Sequence, residues 1–265
     1  MFKKILMFIM IVLIVAGCTA NKPEQNDPEP NPTPNNNNNG NSGNVEKPDD
    51  GKTEVVVNEE LKMNIEISTI QKEASDGKEN EGKETVDVKQ AKISFNRLPS
   101  TLEELQAIDR TGADGKFITM AMLICAFKTW TPDNPDTCDL MMRELMNSPT
   151  VENCYNEYSR SFVKERMLQN DKWEYIADAY FDGAEDINAY YPDEPLTITL
   201  REYPYLPETS TIYGTKLLID KVVIEFQGAD TERSISVYQD PTNSKWYIWS
   251  DSYKSMLADI RFPAK

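Results

Sequence analysis

Glu185, Asp186, Asp193 and Glu194 bracket an aromatic pair, Tyr190 and Tyr191. Two carboxyl groups facing each other across a gap of about 5–10 Å are what glycoside hydrolysis requires. Aromatic rings beside them suit contact with a ligand face. The same stretch also has the marks of an ordinary surface loop, being charged and punctuated by Pro192 and Pro195. A second aromatic segment, Tyr203-Pro204-Tyr205, lies a few residues on. Tyr190, Tyr191, Tyr203 and Tyr205 are therefore the candidate ligand contacts, and no residue is assigned a catalytic role.

The remaining chemistry is thin. His is absent from the chain. That excludes Ser-His-Asp and Cys-His nucleophile systems, HExxH zinc proteases and His-based zinc sites. Gly77–Lys83 fits a GxxxxGK phosphate loop, but Glu84 stands where Ser or Thr must bind magnesium. Ser75–Lys78 spells SxxK without the companion KTG element. Asp133, Asp136 and Asp139 are oxygen ligands in type, yet acids are also wanted at helix N-termini, which explains them more simply. Asp109–Gly115 faintly matches a calcium loop, but Ala113 takes a ligand position and Met120 falls where the closing Glu belongs. Neither a metal nor a cofactor is expected.

Cys125, Cys138 and Cys154 fall on apolar helical faces at spacings that match no zinc or redox motif. They read as small buried hydrophobes. One disulfide, Cys138–Cys154 or Cys125–Cys138, stays open as an alternative outside the cell. The net charge of −16 excludes a nucleic-acid partner, which needs clustered Lys and Arg.

The elements that must position these residues follow from periodicity. Thr53–Phe95 alternates as strands, with Met63, Ile65 and Ile67, then Ala91, Ile93 and Phe95. Lys116–Trp130 is apolar on every face, so it is predicted to be a helix buried all round. It is too short, with a Lys near each end, to span a membrane. Amphipathic helices are predicted on its flanks. One begins at Pro135 with Cys138, Met141, Met142 and Leu145 inward. Another begins at Thr150 with a stripe of Val151, Tyr155, Tyr158 and Phe162, and its apolar spacing continues through Trp173–Phe181. Strands follow at Leu196–Leu200, Leu217–Phe226, Ser234–Tyr238 and Lys245–Trp249. Helices followed by hairpin-linked strands imply an α+β fold, a helical layer around a central buried helix packed on one face of an antiparallel sheet.

The N-terminus resembles the lipobox of bacterial lipoproteins. Lys3 and Lys4 precede an apolar run, Ile5–Val15, which closes on Val15-Ala16-Gly17-Cys18. The resemblance implies cleavage just before Cys18, which becomes the new N-terminus, acylation of Cys18, and an extracytoplasmic protein. Acyl chains on Cys18, not a spanning helix, then anchor it to the outer face of the cell membrane. Residues 19–52, rich in Asn and Pro, cannot bury enough apolar surface to order themselves. They read as a tether with a reach of roughly 30 Å. The organisation expected is thus signal peptide 1–18, tether 19–52, β-rich preamble 53–96 and α+β domain 97–265.

The domain itself carries an ordered set of short motifs: LPSTLEELQAI (Leu98–Ile108), AYFDGA (Ala179–Ala184), YYPDEPLTITL (Tyr190–Leu200), KWYIW (Lys245–Trp249) and ADIRFP (Ala258–Pro263). Together they resemble an uncharacterised domain-of-unknown-function family of secreted and lipid-anchored proteins from low-GC Gram-positive bacteria. The resemblance implies a shared α+β fold and supplies no activity. The function expected is a non-catalytic cell-surface lipoprotein carrying a binding or interaction domain, with a protein or glycan as ligand. The alternative is a carboxylate-dependent hydrolase of cell-wall or glycan substrates, working at Glu185–Glu194.

Overall fold

The computed structural model describes residues 52–57, 61–74, 84–205, 208–212, 214–226, 228–229 and 231–264. The lipobox with Cys18, the tether as far as residue 51, and the 75–83 loop with both of its near-motifs lie outside the described residues.

Period-two alternation builds one antiparallel sheet from β1 (Lys52–Val56), β2 (Lys62–Ala74), β3 (Glu84–Phe95), β4 (Leu196–Glu202), β5 (Glu208–Ile212), β6 (Thr215–Ile224), β7 (Arg233–Gln239) and β8 (Trp246–Ile248). The strand order is β1-β2-β3-β4-β6-β7-β8, with β5 paired beside β6. Register aligns the apolar residues into rows. Met63, Ile65 and Ile67 oppose Phe95, Ile93 and Ala91. Those in turn oppose Leu196, Ile198 and Leu200. The strands before residue 96 and those after it therefore share one sheet and one core.

Four helices cover one face: α1 (Leu102–Ala107), α2 (Gly115–Lys128), α3 (Asp136–Met146) and α4 (Glu157–Leu168). The architecture is the α+β arrangement that the periodicity implies. Every residue of α2 from Gly115 to Phe127 is buried. Each large side chain among them contributes roughly 1.5–3 kcal/mol through burial. α2 starts at a glycine because nothing larger fits. A Cβ at Gly115 would lie 2.2 Å from the Arg110 carbonyl oxygen and 2.6 Å from Cδ1 of Trp246. Among the described residues, no helix is long and apolar enough to cross a membrane.

Two helical expectations are corrected. α4 begins at Glu157, not Thr150, because the Asn156 side-chain oxygen Oδ1 accepts from the Tyr158 and Ser159 N–H groups and caps it there. The residues ahead of the cap instead wrap the sheet edge. The Tyr238 hydroxyl meets Ser148 Oγ at 2.8 Å, and Val151 joins Leu217, Ile219, Tyr238 and Tyr247 in a second, smaller core. Tyr158, placed in the apolar stripe by sequence, is exposed. Beyond α4, Trp173–Phe181 is not α-helix but a string of 3-10 turns. Asn170 and Asp171 adopt left-handed backbone (φ 56° and 53°), which breaks the helix.

Polar residues lock the ends of these elements. Glu104 in α1 is paired with Arg97 and accepts from the Ser100 N–H at 2.8 Å. The Arg97 hydrogen bond is the main reason that its carboxyl is held down to about 2. Buried Asp240 would be pushed up by desolvation. Hydrogen bonds from Ser148, Thr242 and the Thr150 N–H outweigh that and bring it to about 2. Both values lie below those of the unfolded chain, so both groups stabilise the fold above about pH 4 and lose that contribution as the pH falls toward 2. With no His, no side chain titrates ordinarily between pH 5 and 8. The urea midpoint is expected to stay flat across that window, then fall below about pH 4.5, with about 2 kcal/mol lost from these two groups. A midpoint that changes steeply between pH 6 and 8 contradicts this.

Candidate functional site

Tyr203 and Tyr205 stand where β4 runs out. Pro204 has no N–H to continue the ladder. β4 pairs with β3 from Phe95 back to Gln90, while β3 itself runs on to Glu84. The space beside that unaccompanied end of β3 is a groove of about 360 Å³, lined by residues 86–88, Lys116, Glu202, residues 203–205 and Asp220. The Tyr203 and Tyr205 rings pack 4.9 Å apart, and the Lys221 ammonium lies 5.6 Å from the Tyr203 ring centre. The two tyrosines form an aromatic shelf at the mouth.

The floor of this groove is an ion triad. Lys116 sits in the first turn of α2, where the helix dipole disfavours a cation. Two carboxylates from different strands compensate. Its Nζ lies 2.7 Å from Glu202 Oε1 and 2.6 Å from Asp220 Oδ2. Burial alone would pull the ammonium down, but hydrogen bonds and charge from Asp220 and Glu202 hold it above its ordinary value. Burial likewise pushes Glu202 up, and the bonds from Lys116 and the Lys89 N–H win and hold it low. Lys116 is therefore kept protonated. A catalytic lysine needs the opposite, an amine brought down toward neutrality.

The other aromatic pair is not part of this groove. Tyr190 is only 1% exposed. Its ring stacks on Tyr175 at 5.6 Å and 9°, and its hydroxyl donates to the Arg261 carbonyl at 2.9 Å. It is a core residue, so its expectation as a ligand contact is corrected. Its neighbour Tyr191 is 76% exposed. The carboxylates around them have local duties. Glu185 caps a short turn, Asp186–Asn188, in a reciprocal box with Asn188. The Asp193 N–H donates to the Asp182 carbonyl at 3.0 Å, and its carboxyl packs against Gly183. Asp136 and Asp139 lie in the first turn of α3, where Asp136 pairs with Arg160 at 2.7 Å and Asp139 accepts from the Tyr155 hydroxyl at 2.7 Å. Cys125, Cys138 and Cys154 are free thiols, and burial pushes all three up.

A larger cleft lies on the sheet face opposite the helices, about 610 Å³ in volume. The outward positions of the strands make its floor. Gln90 and Lys92 alternate with core residues Ala91 and Ile93, and pair across to Arg201 and Thr199. Arg201 is 5% exposed and runs beneath the floor. Its Nε lies 3.0 Å from Glu225, its Nη2 pairs with Glu232, and its Nη1 donates to the Glu202 carbonyl at 3.2 Å. Lys72 holds Glu225 from the other side at 2.9 Å. Burial would raise the Glu225 carboxyl, but Lys72 and Arg201 keep it low. Asp182 completes the rim, accepting from the Thr199 hydroxyl at 2.8 Å. Nothing in the sequence distinguishes these outward polar residues from ordinary solvated strand positions. The only signal is Arg201, a cation at an alternate position that turns out to be covered.

A family model described as a domain of unknown function, DUF6935, matches residues 97–264. The match begins just past β3, so the first three strands of the sheet lie ahead of it. No curated protein and no solved structure matches the chain.

Proposed function

We propose that this chain, which belongs to the DUF6935 family of domains of unknown function, is a non-catalytic binding module tethered to the outer face of the membrane through acyl chains on Cys18. The anchoring half of the reading is supported by the lipobox-like Val15–Cys18 and the Asn/Pro-rich stretch behind it, a pattern in keeping with secreted and lipid-anchored proteins of low-GC Gram-positive bacteria.

The observation that carries the binding half is the Lys116 triad under the Tyr203–Tyr205 shelf. The amine on the groove floor is locked as a cation between two anions. Such a floor orients a ligand but offers no free base, acid or nucleophile. A hydrolase acting at Glu185–Glu194 is less well supported, because Glu185 and Asp193 are engaged in capping and packing.

Two measurements on the full-length chain test this. Radiolabelled palmitate is expected to enter the wild type and not Cys18→Ser. Cell-wall polysaccharide and cell-surface protein fractions are then incubated with the detergent-solubilised protein. Sedimentation with one fraction is expected, weakened at least tenfold in Tyr203→Ala/Tyr205→Ala, with no new reducing ends or peptide fragments released. Clean turnover of either fraction contradicts a binding module, and unlabelled wild-type protein contradicts the anchor.

A further inference from the structure

We propose that the cleft on the far face of the sheet binds a neutral saccharide, engaging its hydroxyl groups through Asp182, Lys92, Gln90 and Glu225. Three features of the cleft point there together. Its charges cancel, with Lys72, Lys92 and Arg201 against Asp182, Glu225 and Glu232, so it has no net attraction for a charged ligand. Its exposed polar atoms alternate in kind: the carboxylate oxygens accept, the Lys92 ammonium donates, and the Gln90 amide does both. The ligand group that complements such a mixture is one that donates and accepts at a single atom, which is a hydroxyl. A sugar ring presents several of them at neighbouring carbons.

Preorganisation is the second feature. Glu225 is fixed by Lys72 and by Arg201, and Arg201 is itself buried under the floor. Asp182 is fixed by Thr199. Side chains already held in one rotamer lose little entropy when a ligand arrives. The two groups without an opposite charge among the described residues, Lys92 and Asp182, are free to form new bonds. The third feature is the aromatic end. The Phe226 ring lines the cleft and is backed by Tyr180 at 4.6 Å. It supplies an apolar surface for the C–H face of a ring whose edges are held by polar groups. The volume lies inside the usual range of about 300–1,000 Å³ for small-ligand sites.

This inference rests on the binding role proposed above, and the test separates the two. Full-length protein in detergent micelles is applied to an array of neutral, acidic and amino oligosaccharides, and the hits are titrated by calorimetry. At least one neutral oligosaccharide is expected to bind. Affinity should fall at least tenfold in Lys92→Ala and in Asp182→Asn, and stay within twofold of wild type in Leu140→Ala, on the exposed side of α3 and away from both clefts. Raising salt to about 0.5 M should leave it nearly unchanged, since little net charge is involved. No neutral hit on the array, a hit insensitive to both cleft variants, or steeply salt-dependent binding to acidic sugars overturns the saccharide site. Sedimentation with a protein fraction through Tyr203 and Tyr205 leaves the binding module standing in those cases. Release of reducing ends from a bound neutral hit keeps the cleft and removes the non-catalytic reading.

Discussion

Met122→Asp leaves no cooperatively folded protein. Met122 is 0% exposed at the middle of α2, and its neighbours along the helix, Ala121, Leu123 and Ile124, are equally buried. Helices and the sheet surround α2 on all sides, so the helix cannot rotate to present the new carboxylate to water. Two of the buried cations, Lys116 in α2 itself and Arg110 just ahead of it, are already committed to Glu202 with Asp220 and to Glu144. An ionised carboxylate there is cut off from water, and a protonated one still leaves its hydroxyl in the hydrophobic core. The cost is on the order of 5 kcal/mol or more, comparable to the whole stability of an ordinary domain. Far-UV and near-UV circular dichroism during urea titration are expected to show no cooperative transition for Met122→Asp or Ile124→Asp. Leu140→Asp, on the exposed side of α3 at 49%, is the control and should shift stability by no more than about 0.5 kcal/mol. A normal transition in either α2 variant means that this helix lines a wet cavity or a partner surface.

That helix was legible from sequence because its signal is local: thirteen consecutive residues with no polar face admit only burial. The strands were legible for the same reason, each carrying its own alternation. Where legibility failed, the deciding interaction was distant or stereochemical. Val151 and Tyr155 fit a helical stripe with Phe162, yet Val151 belongs to the opposite face of the sheet, reached through Ser148 and Tyr238. Asn170 and Asp171 look like any polar helix-surface pair until their left-handed backbone is seen. Tyr190 and Tyr191 are identical in type and adjacent in the chain, but one faces Tyr175 and the other faces water.

The candidate site was half legible. The Tyr203-Pro204-Tyr205 segment announced itself through composition. The triad beneath it did not, because Lys116 meets Glu202 and Asp220 across separations of 86 and 104 residues. A lysine at the edge of an apolar run reads as the wet end of a helix. The far-face cleft was wholly hidden, since polar residues alternating outward are what any half-buried strand displays.

Lys116→Met is the sharpest probe of that hidden arrangement. Methionine matches much of the lysine stem, so packing against Phe117 and Trp246 is largely kept while the charge goes. What remains is a pair of carboxylates, their side chains 25% and 12% exposed, facing the place where their shared cation stood. Removing one partner of a buried ion pair costs about 3–5 kcal/mol, mostly through the charge left behind, and the residual exposure of Glu202 places this variant near the lower end. The pH dependence identifies the cause. In the wild type Glu202 is held low by its partners, so its contribution is present at neutral pH and lost as the pH falls through its folded value. In Lys116→Met, protonation relieves two uncompensated anions, so the variant should gain stability between about pH 7 and 5, where the wild type is flat. Lys116→Met/Glu202→Gln/Asp220→Asn removes the stranded charges and should recover more than half of the loss at pH 7, with no gain on acidification. Urea midpoints of the three proteins at pH 7 and pH 5 decide the matter. A single variant that loses less than about 1 kcal/mol, or that keeps the wild-type pH profile, means that Glu202 and Asp220 are satisfied by water and that the groove floor is not an ion triad in solution.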